Sequence, residues 1–377
     1  MTGTELIQQI GSDKGRALFA TLYGEAAVES AVLRYSRLLQ DTLKAFPETE
    51  SDLRVFTAAG RTELGGNHTD HNHGKVLAAS IQLDAVAFVS PRSDTTVIFR
   101  STGYPDVVLD IADLEPKPEE RGTTEALVRG IAAEMVRRGI SVRGFTANAA
   151  STVLSGSGLS SSAAVEVLFG TIFNGLYNQS RLSAVEIAQI GQKAENHYFG
   201  KPCGLMDQVA CASGGAVAID FMDPAMPLVT QVPFDPSRSG YALCVVDTGG
   251  SHADLTDDYA AIPAEMKAVA GYFQKSVLRE VNEAALYGAV GELRQRFGDR
   301  AVLRTLHFIA ENKRVDGMLA AIQATNAAQT EADRVSSMEQ FLDLVRESGH
   351  SSWELLQNVF TTKSVQEQGI SLALTSY

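Results

Sequence analysis

Three short segments hold the residues able to do chemistry. The first reads Gly60-Arg61-Thr62-Glu63-Leu64-Gly65-Gly66-Asn67-His68-Thr69-Asp70-His71. A cation and a glycine pair lead into a tight polar cluster, directly after an apolar run from Leu53 to Ala59. That is the layout of a strand entering a binding loop. The same stretch spaces His68, Asp70, His71 and His73 so that Zn²⁺ binding is one reading. On a strand, alternation puts His71 and His73 on one face and His68 and Asp70 on the other.

The second segment is Ser155-Gly156-Ser157-Gly158-Leu159-Ser160-Ser161-Ser162-Ala163-Ala164. Its glycines let a ligand approach the backbone closely. Its serines are expected to cap the helix that follows, whose first N–H groups form an anion site. The Gly-Lys-Ser/Thr ending of a Walker loop is absent. Taken alone, the stretch is equally a plain capped turn.

The third segment runs from Ala194 to Gln208 and contains Glu195, Pro202, Gly204 and Asp207. Pro202 and Gly204 break one helix, and a new one is expected near Leu205. Asp207 then sits in its first turn, where the helix dipole favours the ionised form. An ionised aspartate facing a hydroxyl can accept its proton during phosphoryl transfer. On spacing alone, Asp207 serves as well to stabilise a helix start.

Stepwise along the chain, residues 16–46 look helical, with Leu18, Leu22, Val28, Val32, Leu33 and Leu39 near helical spacing and Pro47 ending the run. Short β-type runs follow at Leu53–Ala59, Ala85–Val89, Thr96–Arg100 and Val107–Ile111. Thr123–Arg138 is expected as an amphipathic helix, and a strand near 144–150 feeds the Gly/Ser loop. Helices near 160–178 and 183–199 come next, then strands at Ala216–Asp220 and Ala242–Asp247, then mostly helix to about residue 360. Strands and helices mix without a regular βαβ repeat, so the expected class is α+β with two domains joined near 200–215.

With 377 residues, 45% of them hydrophobic, the chain can fill two ordinary cores. A net charge of −13 argues against a nucleic-acid partner but not against one nucleotide held by backbone dipoles. No apolar run reaches membrane-spanning length, and the N-terminus lacks the basic and apolar regions of a signal peptide. Three cysteines (Cys203, Cys211, Cys244) without metal spacing fit reduced thiols in a cytosol. A cytoplasmic protein with small-molecule partners is therefore expected.

Together the three segments resemble the galactokinases of the GHMP kinase family. The first is similar to the signature G-R-V-N-L-I-G-E-H-T-D-Y, the second to G-L-S-S-S-A, and the third to A-E-H-x-F-x-G-x-P-C-G-I-M-D-Q. Asp247-Thr248-Gly249-Gly250-Ser251-His252 with Tyr259, and Arg304 to Arg314, resemble later family segments. The resemblance runs from about Val55 to the C-terminus. It implies a ribosomal S5-like N-terminal domain over 1–210 and a ferredoxin-like C-terminal domain over 211–377. The family's Gly-rich third motif does not occur after Gly214-Gly215, so the second domain is expected to be incomplete.

The resemblance also implies roles. Asp207 and Arg61 are catalytic. Arg61, Asn67, His68, Asp70, Gly204, Asp207 and Tyr259 meet the sugar. Gly156, Ser157, Gly158, Leu159, Ser160, Ser161 and Ser162 hold the ATP phosphates, and Ser161, Ser162 and Glu195 hold Mg²⁺. The implied reaction is phosphorylation of galactose at the anomeric hydroxyl. One departure matters for the sugar: Asn67 stands where galactokinases carry Glu, near the sugar C6 hydroxyl. An uncharged amide both donates and accepts, which leaves galacturonate as the runner-up substrate. A sugar- and ATP-binding regulatory protein is the remaining alternative.

Overall fold

A computed structural model describes residues 1–153, 158–249 and 255–376. The chain divides into two compact units. One comprises Met1–Arg61 and Ser80–Ser213, the other Thr62–Ala79 and Gly214–Tyr377. The contiguous split expected near residue 210 is therefore interrupted, because 62–79 group with the C-terminal part.

The first unit opens with helices α1 (Gly3–Gly11), α2 (Asp13–Tyr23) and α3 (Val28–Ala45). The single helical run expected over 16–46 breaks at Gly24, which takes a positive φ of 83°. Leu18, Leu22 and Leu33 are exposed, and the buried face is instead Phe19, Tyr23, Ala31, Tyr35, Leu38 and Leu39.

Strands β1 (Arg54–Gly65), β2 (Lys75–Pro91), β3 (Thr96–Ser101) and β4 (Val107–Asp110) follow, then α4 (Thr124–Arg137) and β5 (Phe145–Ser151). β1 pairs with β2. The later half of β2 runs antiparallel to β5, from Ala85↔Ser151 to Pro91↔Phe145. β5 lies parallel to β3, and β3 antiparallel to β4. The alternation of β2 explains the layers: Ala85, Ala87 and Val89 enter one core, Val86 and Phe88 the other. The first core takes α4, α5 (Ser161–Tyr177) and α6 (Ala184–Ala194), with Phe145 and Phe173 edge-to-face at 5.3 Å. The second takes α1–α3. A π-turn, Glu195–Phe199, and α7 (Met206–Ser213) complete the unit.

In the second unit the early half of β2 pairs antiparallel with β6 (Ala216–Asp220), and β6 with β7 (Leu228–Val232). Helices α8 (Thr256–Tyr272), α9 (Glu283–Gly288), α10 (Val290–Phe297), α11 (Asp299–Ala327), α12 (Glu331–Ser351) and α13 (Gly369–Ser376) follow. Leu64, Leu77 and Ala79 pack on Val315, Met318 and Phe341, which joins the second-unit ends of β1 and β2 to α11 and α12. Ala242–Asp247, expected as a strand, is not one. Leu243, Val245 and Val246 stay exposed, and no described strand pairs with the segment. β-propensity without a ladder partner does not make a strand.

Candidate active site

Arg61 and Asp207 come together within the first unit. β1 approaches the Gly/Ser loop so closely that a Cβ on Gly60 would lie 3.2 Å from the Leu159 carbonyl. Glycine thus lets Arg61 lean across. Its Nη1 donates to the Gly158 carbonyl at 2.6 Å, and its main-chain N–H to that of Leu159 at 3.3 Å. Its Nε and Nη2 both reach Asp207 Oδ1, at 2.9 and 2.8 Å. Ser160 Oγ donates to Asp207 Oδ2 at 2.5 Å.

Protein crowds Asp207, and that burial pushes its pKa up. The Arg61 charge, hydrogen bonds from Arg61 and Ser160, and the Lys201 charge outweigh it, so the carboxyl is held below the usual aspartate value. The side chain keeps 37% of its surface open, so a ligand can reach it.

Ser160 does not cap α5 as expected. Its φ of 57° is left-handed, and its hydroxyl goes to Asp207 rather than to helix N–H groups. A capping serine needs extended backbone. Among the described residues Ser160 makes no capping hydrogen bond, which leaves the first N–H groups of α5 available beside Ser161 and Ser162. Leu159 buries its side chain in the core, which leaves its backbone for any ligand. Gly156 and Ser157 lie outside the described residues. Gly204 sits just before α7, half-buried.

Glu195 occupies a buried polar pocket. Gln208 Nε2 donates to Glu195 Oε2 at 3.1 Å and to Glu166 Oε2 at 3.0 Å, while Lys201 Nζ stands 3.4 Å from Glu195 Oε1. Burial, with the Glu195 charge adding to it, lifts Glu166 well above the ordinary carboxylate range. Glu166 Oε1 and Gln208 Oε1 are buried without a hydrogen-bond partner. Acceptors left unmet beside a carboxylate suit a hard cation or its bound water. Lys201 is 58% exposed and can swing off Oε1. The donor set therefore fits Mg²⁺ completed by phosphate oxygens. Sequence reasoning misses Glu166 and Gln208, because a buried Glu on a helix reads like any surface one.

In the second unit, three of the expected sugar residues, Asn67, His68 and Asp70, lie on a loop closed by Thr69, and a fourth, Tyr259, lies on α8. Its Oγ1 donates to the Gly66 and Lys75 carbonyls at 2.8 and 2.7 Å. Asn72, wholly buried, accepts from the Leu278 N–H at 3.2 Å. Asp70 Oδ1 accepts from the His71 N–H at 2.9 Å. The Tyr259 ring is tilted 60° to that of His68, with centroids 5.1 Å apart, and its hydroxyl meets His71 Nε2 at 3.0 Å. Residues 70–72 form a 3₁₀ turn, so the alternation expected of a strand does not apply. Among the described residues, no three His, Cys, Asp or Glu side chains gather to hold a metal. The Zn²⁺ reading finds no support there.

Comparisons with known proteins bear on the family and the fold. Residues 126–215 match the GHMP kinases N terminal domain, and residues 44–91 match the galactokinase galactose-binding signature. The chain is 35% identical over 277 residues to a galactokinase of Streptomyces coelicolor, covering 72% of this chain and 69% of that protein. The fold matches Lactococcus lactis galactokinase complexed with galactose at a TM-score of 0.70, with 24% identity over 87% of this chain and 81% of that one. Methanococcus jannaschii mevalonate kinase matches at 0.51, with 14% identity over 83% and 82%. Fold and family model thus define the GHMP class of small-molecule kinases. Within that class the chain belongs to the galactokinase family, whose members are ATP-dependent phosphotransferases acting on an alcohol group. No described helix is long and apolar enough to cross a membrane.

Proposed function

We propose that the protein transfers the γ-phosphoryl group of ATP to the anomeric hydroxyl of galactose, releasing ADP and galactose 1-phosphate. The observation that carries this reading is the Arg61–Asp207–Ser160 constellation, a depressed carboxylate held ionised against a permanent cation. The oxygen–phosphorus bond forms as the γ-phosphorus to β-oxygen bond breaks. The hydroxyl proton passes to Asp207. A carboxylate this acidic is a weak base, so it orients the hydroxyl early and accepts the proton late. Arg61 balances charge on the moving phosphoryl group.

The uncapped N-terminus of α5, with Gly156 to Ser162, holds the ATP phosphates in this reading. Glu195 and the hydroxyls of Ser161 and Ser162 hold Mg²⁺, which neutralises phosphate charge when bound. Asn67, His68, Asp70 and Tyr259 hold sugar hydroxyls, and Gly204 offers backbone. Free thiols at Cys203, Cys211 and Cys244 fit a cytoplasmic setting.

Asn67 favours a second reading, a kinase for a C6-modified sugar such as galacturonate, because its amide brings no charge to repel a carboxylate. A coupled ADP-release assay on both sugars decides between them. Galactose turnover that falls at least about a hundredfold in Asp207→Asn supports the reading. Sugar binding without turnover in the wild type points instead to a regulatory protein. An Asn67→Glu variant that leaves the ratio of the two sugars unchanged removes Asn67 from the choice.

A further inference from the structure

The turn that carries Asn67 is an awkward piece of backbone. Gly66 has φ 98° and His68, a residue with a Cβ, has φ 57°. Such conformations persist only where the surroundings over-determine them. Here the surroundings are two helix faces. His307, Glu311 and Arg314 lie at i, i+4 and i+7 on α11. Ser348 and Ser351 on α12, with Ser352 in the π-turn Ser352–Leu356, lie at i, i+3 and i+4.

The buried carboxylate, imidazole and serine hydroxyls of this set are aimed at the turn or at its support. Glu311, fully buried, accepts from the Gly66 N–H at 3.0 Å and from Ser348 Oγ at 2.5 Å, and pairs with Arg314. His307, also fully buried, sits with Nε2 2.9 Å from the Asn67 carbonyl and Nδ1 2.8 Å from Ser351 Oγ. A carbonyl only accepts, so Nε2 carries the proton and Ser351 donates to Nδ1. Asn67 Nδ2 donates to Ser352 Oγ at 2.8 Å.

We propose that His307, Glu311 and Ser352 are positioning residues for sugar binding: they fix the main chain and the carboxamide plane of Asn67, and so set the affinity for the sugar through that one side chain. Apolar packing would hold a turn with less desolvation cost than a buried carboxylate and imidazole. Hydrogen bonds to Gly66 and to both ends of Asn67 specify orientation instead, which apolar contacts cannot do. All three residues act on the Asn67 turn, so the effect is confined to the sugar. The inference rests on the galactose kinase reading for its kinetic readout.

The test is a double-mutant cycle on the full chain at saturating ATP. Ser352→Ala raises the sugar KM about five- to tenfold, the loss of one neutral hydrogen bond, with kcat and the ATP KM within about twofold. In an Asn67→Ala background the same change moves the sugar KM by less than about twofold. His307→Leu raises the sugar KM likewise, and His307→Gln, which keeps an N–H donor, restores most of it. Multiplicative effects of Ser352→Ala and Asn67→Ala, or equal rises in the sugar and ATP KM values, overturn the proposal. Hydrogen exchange needs no substrate. The Gly66 amide, held by Glu311, loses protection about tenfold in Ser352→Ala and His307→Leu, while β6 keeps its own. Unchanged protection also overturns the proposal. Absence of galactose turnover in the wild type sinks only the kinase reading, since the exchange experiment stands by itself.

Discussion

Arg61 and Asp207, 146 residues apart, meet through two guanidinium nitrogens on a single carboxylate oxygen, at 2.9 and 2.8 Å. That leaves the other oxygen to Ser160. Both oxygens of the carboxylate are thus engaged, and its ionised form is favoured in spite of the crowding around it. On the proposed function, a substrate hydroxyl that reaches Asp207 would compete with Ser160 for Oδ2.

Removal of the cation should appear in the pH profile. Asp207 has a folded pKa below its unfolded value of about 3.9, with Arg61 the chief cause that lowers it. The resulting stability is present above about pH 4 and is lost as pH falls through the folded value. Arg61→Gln therefore shifts the acidic limb of kcat/KM to higher pH. A limb that stays in place shows that Asp207 is not the group titrating.

Glu195→Gln should raise the Mg²⁺ concentration for half-maximal activity at least about tenfold, with the sugar KM unchanged. Titration of Mg²⁺ into metal-stripped enzyme reads this directly. An unaltered Mg²⁺ dependence assigns the buried Glu195–Gln208–Glu166 cluster to structure alone.

Gly66→Ala should be severe. The added Cβ would stand 2.3 Å from the Lys75 carbonyl and 2.6 Å from Val76 Cα, at a φ of 98°. The backbone conformation alone costs about 1–2 kcal/mol, before any clash with main chain that cannot move aside. A large fall in Tm is expected, measured by calorimetry. A soluble variant with wild-type Tm contradicts the geometry of the turn.

His307 supplies a second pH signature. Burial depresses its pKa, with Glu311 opposing and Arg314 reinforcing the shift, so the folded state holds it neutral. The unfolded chain binds the proton below about pH 6.5, and wild-type stability falls as pH drops below that value. His307→Gln does not titrate. Its Tm deficit at pH 7.5 should narrow by pH 5.5, and a constant gap refutes the assignment.

β3, β4, β5 and β6 are legible in the sequence, because short runs of apolar residues are bounded by turn signals, whereas only Ala85–Val89 of the long β2 is expected and β7 is missed. Ala242–Asp247 has the same texture and fails, since a strand needs a neighbour that periodicity cannot see. The helix expected over 16–46 is too long because Gly24 looks like any tolerated glycine until its positive φ is known. Asp207 in the first turn of α7 is legible from Pro202 and Gly204 just ahead of it.

By itself, the sequence determined the family, the α+β class and the short segments where chemistry is local: glycines that allow close approach, a serine run before a helix, an aspartate at a helix start. Only the tertiary structure decided what those side chains face. It sent Ser160 to Asp207 rather than to the helix cap, and it put Glu166 and Gln208 around Glu195. It also clamped Asn67 between His307 and Ser352, 240 and 285 residues away. The physical reason is one of range. Backbone preference and capping act over a few residues, whereas the partner of a buried polar group is whichever element packs against it, and that is settled only when the chain closes on itself.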